Sequence, residues 1–229
     1  MLTRSIGGST RRYAFDVEGM EAMKIDDVTL TLFAWDDIPA TKYGGHTAEF
    51  KGRSHLGLLT VKTDDGVEGH AFLGSASRSA IHDASSLIQH LKPVVMGQNP
   101  LDRERLWHGL WQFNRSTTLR AIGAVDIALW DIAGKCYGVP VYKLLGGPTR
   151  DKAFVYGTPD KKTGVRAMKV GPSAARKAFK YAEGSKFIGE VVERFGALRK
   201  KMGDDVDIGI DFHGAVQPTT ASVLIKELE

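Results

Sequence analysis

The sequence predicts a mixed α/β fold in which an α+β domain precedes a run of parallel β/α units. Three observations lead to this prediction: alternating β-rich runs come first, strongly apolar helical patterns follow, and short strands then alternate with helices. The chain has 229 residues, enough for one large domain or two small ones. We therefore expect an N-terminal extension over 1–22, an α+β domain over 23–148 and a β/α part over 149–229.

The first domain is expected to begin with strands. Residues 23–35 alternate as one strand does, and residues 56–74 contain two β-rich runs joined at Asp65-Gly66, a strong hairpin signal. The polar, glycine-containing stretch 36–55 lies between them and is expected to be a loop, because a stretch of this length is usually a lid or a binding loop. Helical spacing of apolar residues then predicts three helices, over 79–96, 100–115 and 118–137.

The second part is expected to alternate between strands and helices. The predicted strands are 152–157, 165–171 and 205–214, and the predicted helices cover most of 175–202 and 219–229. Only residues 158–164 separate the first two strands, whereas a parallel crossover needs about a dozen residues. We therefore expect that a helix is missing, and that the sequence is an incomplete or internally deleted copy of a longer chain, inactive alone.

Composition excludes several classes of function. The net charge is +4 and the pI about 9.1, but basic and acidic residues are interspersed, so no nucleic-acid partner is expected. No apolar window is long enough to span a membrane, and residues 1–22 lack the apolar core of a secretory signal. Cys136 is the only cysteine, which excludes an internal disulfide and fits a reducing cytoplasm. Its apolar helical context predicts a buried side chain.

The candidate site lies in "DVDIGIDFHGAV", residues 205–216. An alternating strand runs directly into Asp211 and His213, which a strand end does not need but a functional site does. A carboxylate suits Mg²⁺, and an imidazole can give or take a proton near neutral pH. Two residues apart in an extended chain, the two side chains would point the same way. The alternative is an aspartate that caps the next turn beside a solvated histidine.

Two longer patterns resemble a known family. "AIGAVDIALWDIAGK" (121–135) and "IGIDFHGAVQPTTASVLIKEL" (208–228) are similar to two signatures of the mandelate racemase and muconate lactonizing group of the enolase superfamily. Within it, the second pattern is most similar to the galactonate dehydratase-like acid-sugar dehydratases. The resemblance implies an enolase-like N-terminal α+β capping domain followed by a (β/α) barrel. That barrel would be partial here, since Glu229 falls within the helix after the third barrel strand.

The resemblance also implies a chemistry: an Mg²⁺-dependent dehydratase removes the proton α to a carboxylate, stabilises the enediolate and eliminates the β-hydroxyl as water. Asp211 would be one of three metal carboxylates and His213 the general acid for the leaving hydroxyl. Lys169 matches the first lysine of the superfamily's Lys-x-Lys motif, but Gly171 stands in place of the second. This departure disfavours a racemase or epimerase. Lys169 could contact the substrate carboxylate or the metal carboxylates, or simply cap a strand end.

The expected loop 36–55 would close over the substrate. Lys42, Tyr43 and His46 are its candidates for contacts to hydroxyls or a distal carboxylate, and solvated loop side chains are the alternative. The expected partners are a small-molecule sugar acid and further copies of the chain in a homo-oligomer. A racemase or epimerase, or a catalytically inactive truncated remnant, remain the alternative functions.

Overall fold

The computed structural model describes residues 23–42, 49–172, 184–214 and 216–229. The described chain divides into two compact units. One contains residues 23–41 and 50–149, and the other contains Lys42, Glu49 and the described residues from 150 to 229. The first is a three-stranded sheet with helices and the second is built around a parallel strand pair, so the predicted mixed α/β class is confirmed.

The sheet of the first unit is formed by β1 (Ile25–Lys42), β2 (Glu49–Thr63) and β3 (Glu68–Leu73), in the order β1-β2-β3. The Asp-Gly hairpin is confirmed, because β2 and β3 pair antiparallel on either side of it. Gly66 takes a φ of 86°, a conformation that favours glycine. The backbone N–H of Thr63 donates to the carbonyl of Val67 at 3.0 Å and closes the turn.

The expected loop over 36–55 is wrong for most of its length. β1 continues to Lys42 and β2 already begins at Glu49. Strand pairing is made by backbone groups, so a polar stretch can extend a hairpin without an apolar face. Pro39 has no backbone N–H to donate to a neighbouring strand. It is tolerated in β1 because β1 is an edge strand of this sheet.

The helices of the first unit follow the predicted order. They are α1 (Ile81–Ser86), a π-helical segment (Leu87–Leu91), α2 (Lys92–Val95), α3 (Arg103–Trp111), α4 (Leu119–Cys136) and α5 (Val141–Leu144). The helix predicted from Pro100 begins later, because the side chain of Asn99 accepts the backbone N–H of Leu101 at 2.9 Å and holds a turn there. No helix in the described residues combines the length and apolarity needed to cross a bilayer.

The core of the first unit lies between the sheet and α4. Thr118 caps α4 by accepting the backbone N–H of Ala121 at 3.1 Å, and the helix buries a face that includes Val125, Ile132 and Cys136. Burial of Cys136 confirms its sequence prediction. Gly69 brings β3 against α4, since a Cβ at this position would lie 2.0 Å from the carbonyl oxygen of Ala128.

Side chains of α4 also make hydrogen bonds to backbone groups at the edge of β3. Asp131 accepts the backbone N–H of His70 at 2.9 Å, and Lys135 donates to the carbonyl of Glu68 at 2.6 Å. Asp131 and Lys135 pair with each other at 2.7 Å, one helical turn apart. Open backbone groups on an edge strand invite pairing with another chain. Asp131 and Lys135 therefore have a structural role at this edge of β3.

The second unit contains β4 (Ala167–Val170), α6 (Ser185–Met202), β5 (Asp207–Ile210) and α7 (Pro218–Leu228). β4 and β5 pair in parallel with Lys169 opposite Gly209, and α6 lies between them in the chain. The predicted strand–helix–strand unit is therefore confirmed. Its buried core consists of Phe187, Val191, Phe195 and Leu224.

The strand predicted over 152–157 is wrong. Phe154, Val155 and Tyr156 are exposed, and the backbone N–H of Gly157 donates to the carbonyl of Ala167 in β4 at 2.9 Å. A β-bridge between 160 and 165 turns the chain straight back. Without a crossover of about a dozen residues, the segment before this turn cannot run parallel to β4.

Candidate active site

The candidate site lies at the C-terminal ends of β4 and β5. Asp211 directly follows β5, and its backbone N–H donates to the carbonyl of Val170 at 2.9 Å. Lys169 pairs with Gly209, which lies two residues before Asp211 and so on the same face. Gly209 carries no side chain between them. The strand register therefore directs Lys169 and Asp211 to one face, whereas Ile210 packs towards the core.

Lys169 and Asp211 form an ion pair, with 3.0 Å between Nζ and Oδ2. The hydrogen bond from Lys169 lowers the pKa of Asp211 below its usual value, and the charge of His213 acts in the same direction. Asp211 in turn raises the pKa of Lys169. The side chains are 44% and 28% exposed, so the pair is open to solvent. At neutral pH the site presents an ammonium held against a carboxylate.

His213 reaches Asp211 through a turn. β5 ends at Ile210, so the two-residue alternation expected of an extended chain does not apply. Instead Asp211 accepts the backbone N–H of His213 at 3.1 Å, and His213 takes a φ of 46°, a left-handed conformation in which histidine is enriched. The turn places Nδ1 of His213 3.5 Å from Oδ2 of Asp211. Phe212 packs on the core of the second unit.

Tyr156 is a member of this cluster that sequence reasoning missed. The centroid of its ring lies 5.1 Å from Nζ of Lys169, within the range of cation–π attraction. The sequence places Tyr156 inside an apolar run, which predicted a strand residue. The only signal was that this run ends at Gly157, where an aromatic side chain can turn towards the neighbouring strand end.

A side chain of α6 is hydrogen-bonded to the backbone just after Lys169. Arg194 donates to the carbonyl of Gly171 at 2.7 Å. Gly171 occupies the place of the second lysine in the superfamily motif, so this position provides a fixed backbone group and no base. Near its C-terminal end, β4 therefore contributes the ammonium group of Lys169 to the site.

The structure brings together Lys169, Asp211 and His213 from the predicted set. Tyr43 and His46 lie outside the described residues. Lys42 is the last residue of β1, but its side chain is outside the described part of the structure as well. The expected substrate contacts from 36–55 stay predictions.

The described residues do not fit a complete magnesium site. Mg²⁺ takes six oxygen ligands in near-octahedral geometry and is usually bound through one or two carboxylates. Among the residues that the structure describes, no group of three or more His, Cys, Asp or Glu side chains could hold a metal. Asp211 offers one carboxylate, and Lys169 already lies against it. This cluster would supply a single ligand position.

Comparison with known proteins identifies the first unit. Residues 45–146 match the family model "Mandelate racemase / muconate lactonizing enzyme, N-terminal domain". Over 198 residues the chain is 36% identical to a D-galactonate dehydratase from Verminephrobacter eiseniae, an alignment that covers 75% of this chain and 48% of that protein. The chain thus spans about half the length of the curated relatives it matches.

Solved structures share the fold. A muconate lactonizing enzyme from Pseudomonas fluorescens, complexed with muconolactone, aligns with a TM-score of 0.58 at 21% identity over 90% of this chain and 57% of its own. D-glucarate dehydratase from Agrobacterium tumefaciens, complexed with magnesium, aligns with a TM-score of 0.61 at 26% identity over 90% of this chain and 58% of its own. From the family match and the relatives, we conclude that the chain belongs to the mandelate racemase/muconate lactonizing enzyme group and is galactonate dehydratase-like.

Proposed function

We propose that these residues belong to an Mg²⁺-dependent acid-sugar dehydratase acting on a galactonate-like acid. The observation that carries the proposal is the cluster of Lys169, Asp211 and His213 at the ends of two parallel strands. The similarity to D-galactonate and D-glucarate dehydratases supports the class of substrate. The activity is proposed for a protein of the length of those relatives.

The chemistry of the three side chains suits a hydroxy acid. The Lys169 ammonium can bind one oxygen of the substrate carboxylate, because an ammonium has three N–H donors. His213 can donate a proton to the β-hydroxyl as it leaves, which converts a poor leaving group into water. Asp211 would supply one oxygen ligand to the metal, and the remaining ligands lie outside the described cluster.

The racemase or epimerase alternative is weaker for a specific reason. A two-base racemase needs a proton acceptor on each face of the substrate carbon, and Gly171 stands where the second lysine base of the motif would be. An epimerase would interconvert stereoisomers without loss of water. Product analysis therefore separates the two reactions.

The test uses the natural gene product with a panel of sugar acids that includes D-galactonate and D-glucarate, with Mg²⁺ and with EDTA. We expect formation of a 2-keto-3-deoxy acid that requires Mg²⁺. Asp211→Asn should lower the rate at least about 100-fold, because metal stabilisation of charge is worth several kcal/mol. Asp205→Asn, at an exposed turn just before β5, is the matched control and should keep full activity. No acid dehydrated, or full activity in Asp211→Asn, would overturn the proposal.

A further inference from the structure

Two arginines of α6 are hydrogen-bonded to opposite ends of the β4–β5 pair. Arg194 donates from Nη1 to the carbonyl of Gly171, directly after β4, at 2.7 Å. Arg199 donates from Nη1 to the carbonyl of Val206, directly before β5, at 2.6 Å, and to that of Gly203 at 2.8 Å. Arg194 therefore acts at the C-terminal end of the strand pair, where the candidate site lies, and Arg199 acts at the other end.

The chain that leaves β4 has few groups with which to pair. Gly171 has no side chain, and Pro172 has no backbone N–H to donate. The residue that follows β5 contributes one bond, from the N–H of Asp211 to the carbonyl of Val170 at 2.9 Å. The bond from Arg194 is made to the next carbonyl along the chain. The end of β4 is therefore held both by its partner strand and by α6.

The position of Lys169 depends on this strand end. Lys169 lies two residues before Gly171, and its Nζ lies 3.0 Å from Oδ2 of Asp211. Its side chain is 44% exposed, and an exposed ion pair alone restricts a lysine only weakly. A shift of the backbone at the end of β4 would therefore move the ammonium relative to Asp211.

We propose that Arg194 is a positioning residue, which fixes the end of β4 so that the Lys169 ammonium stays beside Asp211 and meets the carboxylate of the substrate. The inference rests on the proposed function, in which Lys169 binds that carboxylate. Arg194 acts through the carbonyl of Gly171 and the backbone of β4. A variant that lacks the guanidinium but keeps an aliphatic side chain should loosen this strand end and leave the buried face of α6 unchanged.

Amide hydrogen exchange of the natural gene product tests whether Arg194 fixes the strand end. The readout is the amide of Asp211, which donates to Val170, followed by mass spectrometry with residue-level fragmentation. Arg194→Met should speed its exchange about 5-fold, the effect expected for one lost hydrogen bond. Arg199→Met is the matched control, because it removes two bonds made by the same helix. That variant should leave the exchange rate of Asp211 unchanged.

Two outcomes of the exchange experiment would overturn the proposal. One is a wild-type exchange rate at Asp211 in Arg194→Met. The other is an equal increase in Arg194→Met and Arg199→Met, which would show that Arg194 only supports α6, as Arg199 does. If Arg194→Met does not fold, the same comparison is made between Arg194→Lys and Arg199→Lys, which keep the charge. Faster exchange at Asp211 is then expected in Arg194→Lys alone.

Kinetics of the natural gene product give a readout that a purely structural role would not move. If Lys169 binds the carboxylate equally in the ground state and the transition state, Arg194→Met should raise KM about 3- to 10-fold and leave kcat within about 2-fold. Arg199→Met should leave KM unchanged. An unchanged KM in Arg194→Met, or an equal rise in both variants, would contradict the positioning role. If the wild-type protein dehydrates no sugar acid, the proposed function fails, but hydrogen exchange still decides whether Arg194 fixes the end of β4.

Discussion

Asp83 shows how one residue can organise an element. It is fully buried on α1 and accepts hydrogen bonds from Thr118 at 2.7 Å and from Arg120 at 2.5 Å. Thr118 is the residue that caps α4. Asp83 therefore fixes the start of α4 while its buried charge is matched by the guanidinium of Arg120. A buried ion pair is costly to break, because the remaining partner keeps its desolvation penalty.

We expect Asp83→Asn to lower the free energy of unfolding by about 3 kcal/mol, since the pair with Arg120 is lost inside the core. Asp102→Asn is the control: its pair with Arg105 is exposed, and the expected change is below about 1 kcal/mol. Urea denaturation of the two variants measures the difference. Equal stability of Asp83→Asn and Asp102→Asn would contradict the structural role of Asp83.

At the scale of residues, sequence predicts the chemistry of the site better than its geometry. Asp211 and His213 could be predicted as site residues because a carboxylate and an imidazole follow a β-rich run. The turn that joins them could not be predicted, because it depends on the left-handed conformation of His213. Tyr156 could not be predicted as a member of the site either, since Lys169, which its ring contacts, lies 13 positions away, beyond a turn. Contacts of this kind depend on tertiary structure.

Among the elements, the packing of α4 on β3 determines the core of the first unit. Gly69 permits the close approach: a Cβ there would lie 2.0 Å from the carbonyl oxygen of Ala128 and 2.7 Å from Cγ1 of Ile132. The nearest obstacle is backbone, which cannot rotate away as a side chain could. At Gly123, on α4 itself, the same hypothetical Cβ would have no atom within 4 Å apart from its chain neighbours and the backbone of its own helix.

These two glycines make a matched pair of substitutions. We expect Gly69→Ala to cost about 3 kcal/mol, because β3 and α4 must move apart to admit the methyl group. Gly123→Ala should instead stabilise the protein by about 0.5–1 kcal/mol, because alanine is the better helix former. Thermal and urea unfolding give both values. A Gly69→Ala variant as stable as the wild type would show that the approach of α4 to β3 is not close.

Elements with strong local signals are the ones that sequence predicts. The Asp65-Gly66 hairpin and α4 each have a turn or a cap that fixes their boundaries locally. The expected loop over 36–55 fails because backbone pairing extends β1 and β2 through polar sequence. The strand expected over 152–157 fails because its apolar residues find no parallel neighbour in the described structure. In both cases the decisive information is which strands pair.

At the scale of the whole molecule, the family assignment and the proposed activity rest on different parts of the chain. The family match covers residues 45–146, of which 50–146 are in the first unit, whereas Lys169, Asp211 and His213 lie in the second. The curated relatives align over about half their length, so the activity concerns a protein longer than the part compared. A test of the account must therefore depend on the second unit and on chemistry specific to a dehydratase.

The most direct measurement follows two events in one reaction. The natural gene product is incubated with D-galactonate in D₂O, and NMR records deuterium at the α-carbon of recovered acid together with the keto-deoxy product. With His213→Asn we predict that deuterium still enters the α-carbon while product formation falls at least about 100-fold, because only the acid for the leaving hydroxyl is lost. His108→Gln, an exposed histidine on α3, should match the wild type. Dehydration at the wild-type rate by His213→Asn would contradict the account.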